Sequence, residues 1–150
     1  MGLENQISVV IPQETIDEVT TKLQECKTIL APFLQALTAA ERSGLFKMGD
    51  KSLPTVQKVK SYSDTNPEFM PSYMDKDEFL KDETVVSQLT PIANILEQLF
   101  SDVDDTRLLA GSEALQAALL YYGQVKEANK KGVTSAKPIY EDLKQRFSKK

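Results

Sequence analysis

The chain has 150 residues, 41% of them apolar and 27% charged, with a formal net charge of −4. That length and balance suit one domain, 1–150, able to bury a core without disulfides or a structural metal, and they exclude a chain too polar to fold. No run approaches the roughly 20 consecutive apolar residues a membrane helix needs, and the start lacks the basic and apolar regions of a secretory signal, so a cytoplasmic protein with no membrane contact is expected.

Residues 1–11 are expected to be a flexible segment, in which only the apolar run from Ile7 to Ile11 resembles a strand, one with no partner in this chain. Ile16, Val19, Leu23, Cys26, Leu30, Phe33 and Leu37 then alternate spacings of three and four, which keeps one stripe on a helix over 12–37. Pro12 suits its first turn, and Glu14, Asp17 and Glu18 complement the positive end of its dipole. Pro32 predicts a kink near Thr28, and Cys26, on the apolar stripe, is expected to be a buried core thiol.

Thr38 with Glu41 spells a capping box before a short helix ended by Gly44. Residues 45–51 read as a loop, and Ser52 as the cap of a helix whose apolar side is Leu53, Val56, Val59 and Tyr62 and which must stop before Asn66-Pro67. Residues 66–74 hold two prolines among Phe69, Met70, Tyr73 and Met74, too apolar for a loop that meets only water. Asp75 and Glu78 mark another helix start, and the wide face formed by Val85, Val86, Leu89, Ile92, Leu96, Leu99, Phe100 and Val103 predicts deep burial, with a kink at Pro91.

The polar stretch 102–106 fits the tight link between antiparallel neighbours. Leu108, Leu115, Leu119, Tyr122 and Val125 mark the next helix, slimmed by Gly111 and Gly123 so that another helix can approach, with Gly132 as its stop. A last helix starting near Pro138 presents Ile139, Leu143 and Phe147, before a flexible tail at 148–150. The expected fold is all-α, an up-and-down helical bundle of about four main helices with shorter ones and an apolar proline-containing loop.

Chemistry is constrained chiefly by the absence of histidine, which removes the commonest general base, the Ser-His and Cys-His pairs and the commonest metal ligand. Asp102, Asp104 and Asp105 lack the spacing of a calcium loop and read as a solvated turn, so no metal or other cofactor is expected. Lys47, Lys51 and Ser52 precede a helix as in a phosphate-binding loop, but the first glycine is missing and Asp50 stands where the second belongs. They are candidates for an anionic ligand. Phe69, Met70 and Tyr73 are candidates for a partner surface.

Charge is unevenly spread: residues 64–105 hold 11 acidic and 2 basic side chains, a net of −9, whereas 126–150 hold 8 basic and 3 acidic, a net of +5. The overall negative charge argues against nucleic acid, and the uneven spread reads as intramolecular complementarity with solvated faces or, more sharply, as a basic C-terminal patch for an anionic partner.

Four segments, FKMGDKS at 46–52, NPEFMPSYMD at 66–75, LAGSEAL at 109–115 and AKPIYEDL at 136–143, resemble a family of small uncharacterised bacterial proteins of the Bacteroidetes type. The resemblance implies a helical bundle in a bacterial cytoplasm and carries no activity or site residue. Two readings follow: a non-catalytic protein-interaction or structural module, as a homo-oligomer or with a protein partner, and a binder of a small anionic or apolar ligand.

Overall fold

The computed structural model describes residues 5–49 and 51–148, and among them the secondary structure is entirely helical. Five α-helices occur in order: α1 (Gln13–Leu30), α2 (Ala39–Ser43), α3 (Ser52–Thr65), α4 (Lys76–Lys130) and α5 (Ala136–Ser148), with one 3-10 turn, Pro67–Phe69, between α3 and α4. The all-α class is as the periodicities require. No described helix is long and apolar enough to cross a membrane. The chain falls into two units, Val10–Leu96 and Met1–Val9 with Glu97–Lys150.

In Val10–Leu96, α1 ends at Leu30 rather than kinking through to Leu37. Pro32 has no N–H to give the Thr28 carbonyl and its ring crowds that carbonyl. The chain instead closes a tight turn, with the Phe33 amide donating to the Leu30 carbonyl at 2.9 Å, and continues irregularly to Thr38. There the expected capping box forms: the Glu41 amide donates to Thr38 Oγ1 and the Thr38 amide to the Glu41 carboxylate, both at 3.1 Å. Helix α3 stops at Thr65, one residue before Asn66-Pro67, as its proline demands. Its start differs by one position. Lys51 is the N-cap and Ser52 already lies inside, where its hydroxyl accepts the Gly49 amide at 3.3 Å.

The Asp75 carboxylate takes the Glu78 amide at 3.1 Å and opens α4. A polar clamp then ties α4 to α3. Glu83, buried with only 5% of its side chain exposed, accepts from Lys60 Nζ and from Ser87 Oγ, both at 2.8 Å. Lys76 adds an ion pair to Asp64 at 3.1 Å.

Helix α4 runs through both Pro91 and 102–106, so the expected interhelical link is helix. Neither glycine nor proline occupies 102–106, and the polar groups there are satisfied along the helix: Gln98 donates to Asp102 at 3.2 Å, Arg107 to Asp104 at 2.6 Å, and Thr106 Oγ1 to the Asp102 carbonyl at 2.8 Å.

In the unit built from Met1–Val9 and Glu97–Lys150, Gly132 at φ 81° stops α4. The Val133 amide reaches the Ala128 carbonyl and the Gly132 amide the Asn129 carbonyl, at 3.0 and 3.1 Å, the paired bonds of a Schellman motif that only a residue tolerant of positive φ makes without strain. The turn brings α5 back onto α4. Tyr122 stacks between Tyr140 and Phe147, with ring centroids 6.2 and 5.0 Å away, and Val125 and Ala136 are buried beside them. Helix α5 starts two residues before Pro138.

Several expectations of burial are overturned. Ile16, Val19 and Leu23 are 40–46% exposed and Cys26 is exposed, because nothing in its unit covers that face of α1. Val85, Ile92, Leu96, Leu99, Phe100 and Val103 are exposed likewise. Ile7 to Ile11 forms no strand, and Val9, Val10 and Ile11 are exposed. At Gly111 and Gly123 a Cβ would meet no atom within 4 Å, so among the described residues nothing packs closely against α4 at either glycine. Of the flexible ends expected at 1–11 and 148–150, residues 1–4, 149 and 150 lie outside the described residues, as does Asp50.

Candidate functional site

The best-formed concavity follows from the way α3 ends. Asn66-Pro67 halts the helix, the turn Pro67–Phe69 reverses the chain, and after the extended Met70 a second turn closes with the Met74 amide donating to the Pro71 carbonyl at 3.0 Å, so that the loop lies back along α3. Val59, Tyr62, Ser63, Asn66, Phe69, Met70 and Met74 enclose a cavity of about 470 Å3. The lining is mostly apolar. Two of its polar side chains are engaged: Ser63 Oγ donates to the Lys60 carbonyl at 2.6 Å and Asn66 Nδ2 to Glu68 Oε1 at 2.9 Å. The Asn66 amide, ahead of the Glu68 backbone contact, holds the Glu68 carboxyl below the ordinary glutamate range, so a fixed negative charge stands at the rim.

Two of the three residues expected at a partner surface, Phe69 and Met70, therefore share one cavity wall, although Phe69 remains 81% exposed. Tyr73, 91% exposed, lines a separate shallow depression with Ser72, Asp75, Lys76 and Asp77. The apolar loop packs onto α3 only in part.

Lys47, Lys51 and Ser52 come together less well. Ser52 is occupied by the Gly49 amide, and the neighbouring cavity of about 290 Å3 is lined by Met48, Gly49, Leu53, Pro54, Gln57, Val86 and Thr90, without either lysine. Among the described residues no group of three or more Cys, Asp or Glu is arranged to hold a metal ion.

Comparison with known protein families, with curated proteins and with solved structures finds no match to this chain.

Residue patterns passed over two features. Glu83 reads in sequence as one of a run of solvated acids, yet it is the buried centre of the α3–α4 clamp, where hydrogen bonds from Lys60 first and Ser87 second hold its carboxyl below the usual range. Its signal is its spacing of three from both Leu80 and Val86, half-buried residues on the same face of α4. Phe46 reads as loop, yet its ring is fully exposed at 108%.

Proposed function

We propose that this chain is a non-catalytic protein-interaction module, set in a bacterial cytoplasm, whose helix faces are completed by another protein. The observation that carries this reading is the state of α1. Its 3-4-3 stripe of Ile16, Val19, Leu23 and Cys26 lies open to solvent, and only Leu30 at the end of the helix is half-buried. Regular apolar spacing of that kind matches the ridges of a second amphipathic helix, and exposed apolar strips of this length mark interaction surfaces in folded proteins. The absence of histidine supports a binding rather than a catalytic role.

The test is capture in the native cell with a photo-crosslinking side chain at Gln24, beside the stripe, in the otherwise natural chain and in the Leu23→Glu variant. A discrete crosslinked protein, lost in Leu23→Glu, supports the reading. No crosslink in either form counts against it.

The cavity beside Phe69 favours a second reading, a binder of a small apolar ligand. Its volume of about 470 Å3 is within the range of ligand sites. A thermal-shift series with fatty acids, and with phosphates and nucleotides for Lys47, Lys51 and Ser52, separates the two: a rise in Tm that scales with ligand concentration favours the small-molecule reading.

A further inference from the structure

We draw no further inference here: the strongest candidate, the open apolar stripe of α1 at Ile16, Val19, Leu23 and Cys26, already carries the interaction-module reading, and nothing in the structure shows what covers it, its flanking Lys22 being paired with Glu18 on the same helix.

Discussion

Glu83 shows how one side chain can hold two helices. Its carboxylate is withdrawn from water yet receives Lys60 and Ser87 at 2.8 Å each, while Gln57 reaches Ser87 at 3.4 Å. A buried carboxylate without such partners would be strongly unfavourable, and the bonds from α3 and from the next turn of α4 are what leave it charged at low cost. Because the folded state lowers its pKa, the contribution is complete above the unfolded glutamate value near about 4.3 and is lost as pH falls through the lowered folded value. Thermal melts of the natural chain and of Glu83→Gln at pH 7 and in steps below pH 4.5 check this: the natural chain should lose Tm more steeply on acidification, and parallel curves would remove Glu83 from the account. At neutral pH, Lys60→Met strands the carboxylate, and a fall in Tm of about 4 °C is expected for a chain of this size.

At the scale of elements, the local punctuation that acts through a single backbone bond was readable. Thr38 with Glu41 caps α2, Asn66-Pro67 ends α3, Asp75 opens α4 and Gly132 closes it, each by a hydrogen bond or a φ value that its own residue determines. The features that depended on tertiary context were not. A polar run such as 102–106 is equally compatible with a turn and with an exposed helical face, and its side chains pair along the helix. Pro32 and Pro91 share one chemistry and have opposite outcomes: α1 ends near the first, while α4 passes the second, where the Thr90 hydroxyl donates to the Val86 carbonyl at 2.6 Å. If Pro32 alone stops α1, Pro32→Ala should extend the helix toward Leu37 and bring Phe33 onto the Ile16 stripe. Circular dichroism at 222 nm should then gain roughly one to two helical turns, and unchanged ellipticity would place the stop in the residues that follow.

Across the whole molecule, the apolar wall of Phe69 and Met70 is legible because apolar composition in a proline-containing loop shows in the residue types alone, whereas the rest of the cavity, at Val59, Tyr62 and Met74, depends on how that loop folds back on α3. The larger departure concerns burial. Heptad spacing was read as a core, but periodicity identifies only a face that seeks apolar company and leaves open which molecule supplies it. Among the described residues Ser63, Glu83, Val125 and Ala136 are the buried ones, and two of them are polar. If a second copy covers these faces, its association favours the folded state and makes Tm depend on protein concentration. Calorimetry over a hundredfold dilution series should then show Tm rising by about 2–5 °C for each tenfold increase in concentration, with Leu23→Glu flattening that slope if the α1 stripe is the contact responsible. A Tm independent of concentration in the natural chain would mean that the exposed stripes of α1 and α4 are tolerated by a folded monomer, and the search for what covers them would move from a second copy to a different protein.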